Sequence, residues 1–96
     1  MLKILVVCGA GLGSSFACQM SVESVLKDLN VKASLDHSDL SSAAGYGADI
    51  IIAGKNFEPQ FKRYNINSSF IFLNKLVDKN EIREKLVPIL QEKGEL

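Results

Sequence analysis

The residues best suited to chemistry stand together near the start of the 96-residue chain, in Cys8-Gly9-Ala10-Gly11-Leu12-Gly13-Ser14-Ser15. One thiol is followed by three alternating glycines and then by two serines. Glycine permits positive φ, so a tight turn can bring successive backbone N–H groups to one point. A helix that starts after such a turn adds unpartnered N–H groups and the positive end of its dipole. Serine hydroxyls donate further hydrogen bonds. The expected result is a cradle for a dianionic group built around a sulfur atom. Cys8 is its nucleophile, and Gly9, Ala10, Gly11, Leu12, Gly13, Ser14 and Ser15 are its phosphate-binding residues. The same field lowers the thiol pKa and makes thiolate available.

Spacing argues against two other glycine-rich loops. A dinucleotide fingerprint needs GxGxxG, and here the third glycine, Gly13, comes one position early. A P-loop needs a closing Lys-Ser or Lys-Thr, and this loop has none.

The elements that must hold this loop read as alternating strands and helices. Residues 1–7 are β-branched and apolar without alternation, which predicts a strand buried on both faces. From Phe16 to Leu29 apolar residues recur at three- and four-residue steps, predicting an amphipathic helix with Ser14 or Ser15 as its N-cap. Residues 31–37 alternate, as an edge strand with one wet face does. Residues 38–47 are small and polar, with one helical turn ended by Gly45. Residues 49–54 predict a second central strand, and residues 68–73 a fourth strand. The stretch 55–64 contains Pro59 and carries no clear pattern. Asp78 followed by Glu81 marks a final helix, with Ile82, Leu86, Ile89 and Leu90 as its apolar stripe and Gly94 at its end. Pro88 should kink or split that helix.

This order predicts a three-layer α/β fold: a four-stranded parallel sheet, order 2-1-3-4, with helices on both faces and right-handed crossovers. Ligands of such sheets bind beyond the carboxyl ends of the strands at a switch point, which here lies just after strand 1, at Cys8.

Composition narrows the function classes. Apolar residues make up 47% and charged residues 23%, the balance of one globular domain spanning 1–96. Eleven basic residues match eleven acidic ones, so no nucleic-acid or membrane-surface footprint is expected. Cys8 and Cys18 form no CxxC pair and His37 is the one histidine, too few ligands for a structural zinc site. No run approaches the roughly 18 apolar residues of a membrane helix, and Ile4 to Val7 is too short for a signal peptide's apolar core. The expectation is a cytoplasmic protein with reduced thiols and no cofactor.

The segment Val7-Cys-Gly-Ala-Gly-Leu-Gly-Ser-Ser15 resembles the IIB components of the bacterial sugar phosphotransferase system. It is most similar to the ascorbate-specific type within the lactose/ascorbate group, and mannitol-type domains have a related Gly-Ser-Ser turn. Chain length, element order and Asp49-Ile-Ile-Ile-Ala53 agree with that resemblance. It implies a phosphotransferase in which Cys8 accepts a phosphoryl group from a phosphohistidine of the IIA component. Cys8 then passes the group to a sugar, ascorbate by this resemblance, held in the membrane IIC component. The topology is also similar to that of low-molecular-weight tyrosine phosphatases, whose motif is Cys-x5-Arg-Ser/Thr. Ser14 stands at the arginine position here, and without a bidentate guanidinium the loop suits a carrier better than a hydrolase. A non-catalytic regulatory domain of the same type is a further alternative.

The remaining polar residues carry weaker signals. Cys18 reads as a small core residue on the first helix. His37, Lys55 and Asn56 stand near the expected carboxyl edge, where a plain exposed position explains them better than a role does, and Tyr46 reads equally as a border of the site or part of a crossover loop. Leu12 and Phe16 are apolar residues expected to rim a partner surface next to Cys8.

Overall fold

In a computed structural model, the first strand, β1, covers Leu2–Val7 and leads into the helix α1, Leu12–Asp28. The structure describes residues 2–7, 12–64 and 66–96, with the side chains at 12–15 and 44 left aside. Then follow β2 (Ala33–Ser38), α2 (Leu40–Tyr46), β3 (Ile50–Gly54), a 3-10 turn (Lys55–Phe57), α3 (Glu58–Phe61), β4 (Ser69–Leu73) and α4 (Lys79–Glu92). The strands form one parallel sheet in the order β2-β1-β3-β4.

Ile4, Leu5, Val6 and Val7 are fully buried, because helices cover both faces of the sheet. Ile4 and Val6 join Ile50 and Ile52 under α1 and α4, against Cys18, Val22, Ile82 and Leu86. Leu5 and Val7 join Ile51 and Ala53 on the other face, against Ala43 of α2 and Phe61 of α3. A strand buried on both faces cannot alternate, which is why the central strands read as continuous apolar runs. The edge strand β2 does alternate: Ala33 and Leu35 pack against the α1 side while Ser34 and Asp36 are exposed. On the opposite edge, Phe70 and Phe72 stack 5.7 Å apart and tilt against Phe61.

Several expected boundaries move, each for a local reason. Helix α1 begins at Leu12, four residues before the apolar period starts. Ser14 and Ser15 are therefore already helical, and neither is the N-cap expected of them. Its far end closes on Asn30 at φ 58, with Val31 N donating to Leu26 O and Asn30 N to Lys27 O. Those are the two bonds of a Schellman ending. Helix α2 is longer than one turn and runs through Gly45 to stop at Gly47, whose φ of 76 is left-handed. Asp39 caps its start by accepting from Ser42 N at 2.8 Å. The unpatterned stretch is helical, with Pro59 in the first turn of α3, where its missing N–H costs nothing. Helix α4 runs unbroken through Pro88, so Pro88 does not split it. Pro88 is exposed, and so is Glu84, whose carbonyl the proline ring leaves without its usual intrahelical donor. Gly94, φ 78, ends α4 as expected, again with the Schellman pair of bonds.

Candidate functional site

The chain leaves β1 through α1 to pair β2 on one side, then returns through α2 to pair β3 on the other. The carboxyl end of β1 is thus the topological switch point, where open α/β sheets bind ligands. In register, Val7 faces Ser38 of β2 and Ala53 of β3. Cys8 is bonded to Val7, and α1 starts four residues later. Cys8, Gly9, Ala10 and Gly11 lie outside the described residues. Leu12, Gly13, Ser14 and Ser15 form the first turn of α1. Early N–H groups of a helix have no partner inside it, and this first turn has no acidic side chain to compete with an anion.

Residues from the neighbouring strand ends border this point. After β2, Asp39 is held by Ser42 and then Ser41, and these bonds keep its carboxyl below the usual range. After β3, Lys55 and Asn56 are exposed, and Asn56 folds its side chain back over Gly54. A Cβ added at Gly54 would stand 2.6 Å from Asn56 Oδ1, so glycine is what admits that fold. His37, on β2, is exposed and opposite Val6. Its Nδ1 is 2.7 Å from Gln19 Oε1 of α1. Tyr46 packs with the α2 face and points its hydroxyl at Asp36 Oδ2, 3.4 Å away. Partial burial, then the Asp36 charge, raises its pKa.

After β4, the loop to α4 is organised by Glu81. Its carboxylate accepts from Asn74 N at 2.8 Å, Lys75 N at 2.9 Å and Lys85 Nζ at 2.7 Å. The Asn74 bond and then the Lys85 bond pull its pKa down to about 2. The spacing Asp78 to Glu81 is that of a capping box, but the carboxylate serves the preceding loop and not the N-cap N–H. Asp78 accepts from Asn80 N and Glu81 N, as an N-cap does. Lys85 also donates to Phe72 O, tying α4 to β4.

Cys18 is fully buried in the α1 face of the core, the place expected for it. Sequence reasoning missed Gln19 and Glu81 as organisers. Glu81 carried a signal, as the acid at the third helical position, whereas Gln19 carried none.

The sheet order, the two helical layers and the switch point after β1 define an open α/β domain of the doubly wound class. Residues 3–87 match the family model described as the lactose/cellobiose-specific IIB subunit of the phosphotransferase system, and the chain belongs to that family. It is 30% identical over 91 residues to an ascorbate-specific EIIB component of Mycoplasma pneumoniae, covering 93% of this chain and 95% of that one. It is 27% identical over 89 residues to a mannitol-specific EIICBA component of Buchnera aphidicola, covering 88% of this chain and 14% of that protein. A solved lactose-specific IIB domain from Streptococcus pneumoniae superposes with a TM-score of 0.60 at 18% identity, over 94% of this chain and 95% of that one. The chain is therefore a IIB component, a phosphotransferase-type protein of sugar transport. Among the described residues no helix is long and apolar enough to cross a membrane.

Proposed function

We propose that this IIB component carries a phosphoryl group on Cys8, taken from a phosphohistidine of a IIA protein and given to a sugar held by a membrane IIC protein. The observation that carries the reading is position: Cys8 directly follows the central strand β1 at the switch point, and α1 begins at Leu12. In the first step the Cys8 thiolate attacks phosphorus in line. The S–P bond forms, the P–N bond breaks, and the donor imidazole keeps the electron pair. In the second step a sugar hydroxyl oxygen attacks phosphorus, the S–P bond breaks, and the thiolate leaves. The hydroxyl proton passes to a base on the acceptor side.

Backbone N–H groups between Gly9 and Ser15 hold the three equatorial oxygens in both steps. Phosphoryl transfer of this kind needs positioning and charge stabilisation more than covalent machinery. The helix dipole of α1 favours both thiolate and phosphocysteine. Ascorbate is the substrate this reading favours, from the likeness to the ascorbate-specific EIIB component. The protein would work in the cytoplasm as one domain, meeting its two partners in turn through small, transient interfaces. Phe16, 59% exposed in the second turn of α1, would rim that surface.

The test is intact mass after incubation with phosphoenolpyruvate, the general phosphotransferase proteins and a IIA protein. The expected result is one phosphoryl group, absent in Cys8→Ser, kept in Cys18→Ser and discharged by ascorbate with IIC membranes. Phosphorylation that survives Cys8→Ser would overturn the reading. Turnover of an aryl phosphate by the protein alone would replace it with a hydrolase.

A further inference from the structure

The two edges of the sheet are closed in unequal ways. Lys3 N donates to Asp49 Oδ2 and Asp49 N donates to Lys3 O, so the Lys3 backbone faces β3. Backbone direction alternates along a strand, so Ile4 and Val6 face β2. The parallel register then leaves the backbone groups of Leu35 and His37 pointing out of the sheet. Side chains meet them there. Gln19 Nε2 donates to Leu35 O at 3.4 Å, and Asp36 Oδ1 accepts from His37 N at 2.8 Å. Asp36 is also an exposed charge on that edge strand.

The β4 edge has less protection. Ser69 N donates to Asp49 O, so Ser69 and Ile71 face β3 in the register Ile50↔Ser69 and Ile52↔Ile71. Phe70 and Phe72 therefore turn their backbone N–H and C=O groups outward. Lys85 Nζ donates to Phe72 O at 2.6 Å, and Glu81 Oε2 holds the same ammonium at 2.7 Å. Among the described residues, no other side chain bonds to the outward groups of Phe70 and Phe72. Residues 66–74, Ile-Asn-Ser-Ser-Phe-Ile-Phe-Leu-Asn, carry no charge and no proline. An uncharged edge rich in aromatic and β-branched residues is a template for another strand.

That edge is complementary to itself. In an antiparallel pair about a two-fold axis at Ile71, Phe70 of one copy stands opposite Phe72 of the other, and both are outward residues. Such a pair exchanges two hydrogen bonds, one of which needs Phe72 O. The side chains of Phe70 and Phe72, already stacked 5.7 Å apart, would lie directly across from their copies and extend one aromatic face. Lys85 occupies the Phe72 acceptor, and pairing would also bring two ammonium groups to one seam.

We propose that the β4 edge is a pairing surface for a second copy of this chain, and that Lys85, anchored by Glu81, keeps it closed. The inference is independent of the phosphocysteine reading. Its test is sedimentation equilibrium of the 96-residue chain from micromolar to millimolar concentration, with amide hydrogen exchange read by NMR. The Lys85 side chain is 38% exposed and lies outside both apolar clusters, so its replacement keeps the fold.

Wild type and Lys85→Arg should sediment as single chains, because Arg keeps a cation and a donor for Phe72 O. Lys85→Met and Lys85→Ala should approach twice that mass as concentration rises. In both, exchange of the Phe70 and Phe72 N–H groups should slow at least about tenfold between dilute and concentrated samples. Single-chain mass in both variants, with the fold verified by circular dichroism, overturns the proposal. So does association of Lys85→Met alone, which assigns it to added apolar surface, or slowed exchange confined to residues outside β4. A wild type that pairs through β4 shows that Lys85 does not close the edge. Unfolding of both variants makes Lys85 a support of the fold and overturns the proposal as well.

Discussion

Replacing Glu81 with Gln tests the network that shapes the loop between β4 and α4. The wild-type carboxylate accepts two backbone N–H groups, the Asn74 amide and the Lys85 ammonium. Gln offers one neutral oxygen and turns an NH2 toward donors it cannot serve. Glu81 titrates at about 2 in the folded protein against an ordinary 4.5. At 1.36 kcal/mol per unit, that difference is worth about 3.4 kcal/mol at most. The Glu81 side chain is 13% exposed but its Lys85 partner is 38% exposed, and solvent screening brings the expected loss at pH 7 to about 2 kcal/mol. In a domain of this size that lowers Tm by roughly 10 °C. A group with a depressed folded pKa stabilises fully above its unfolded value and loses that contribution as pH falls toward the folded value. Wild type should therefore exceed Glu81→Gln by the full amount from pH 7 down to about 5, with the gap narrowing through pH 4 and 3. Urea unfolding of both proteins across that range measures it. A gap under about 0.5 kcal/mol at pH 7, or one that stays constant down to pH 3, would refute the reasoning.

Four further outcomes follow from burial, conformation and exposure. Cys18→Ser replaces a fully buried thiol of the α1-side core with a smaller, more strongly hydrated hydroxyl and should cost about 1–2 kcal/mol by urea unfolding, without loss of phosphorylation. Ile52→Ala removes a fully buried side chain between β1 and β4, and its expected loss of about 2–5 kcal/mol is read from the same unfolding curves. Gly47→Ala has open space for its methyl but keeps φ near 76, so calorimetry should show a loss of about 1 kcal/mol from backbone strain alone. Phe16→Asp should slow phosphoryl transfer from IIA at least about tenfold in rapid-quench assays while Tm moves less than about 3 °C, because the side chain is 59% exposed; unchanged kinetics would remove it from the partner surface.

The sheet was legible because its two kinds of strand leave different marks. Continuous apolar runs at Ile4–Val7 and Ile50–Ala53 require helices on both faces, and the alternation from Val31 to Leu35 requires an edge. Strand order 2-1-3-4, the edge position of β2 and the burial of Cys18 all agree with those marks. Helix ends were less legible. The start of α1 was placed late because its first turn, Leu12 to Ser15, lacks an apolar period of its own, and α2 was stopped at Gly45 because nothing local tells a helical glycine from a terminating one. Only the left-handed φ at Gly47 decides between them.

What the sequence alone determined is the position of the thiol in the chain: Cys8 directly follows the mostly buried strand β1 and stands four residues before α1, in a stretch rich in glycine and serine. Local composition suffices there, because strand end, thiol and helix start are neighbours in the chain. What only the tertiary structure decided is which distant side chains meet. Gln19 reaches His37 across 18 residues, Lys3 N donates to Asp49 across 46, and Glu81 gathers Asn74, Lys75 and Lys85 around the end of β4. Those meetings depend on strand register and on which face each helix covers, and neither is encoded in the spacing of the residues involved.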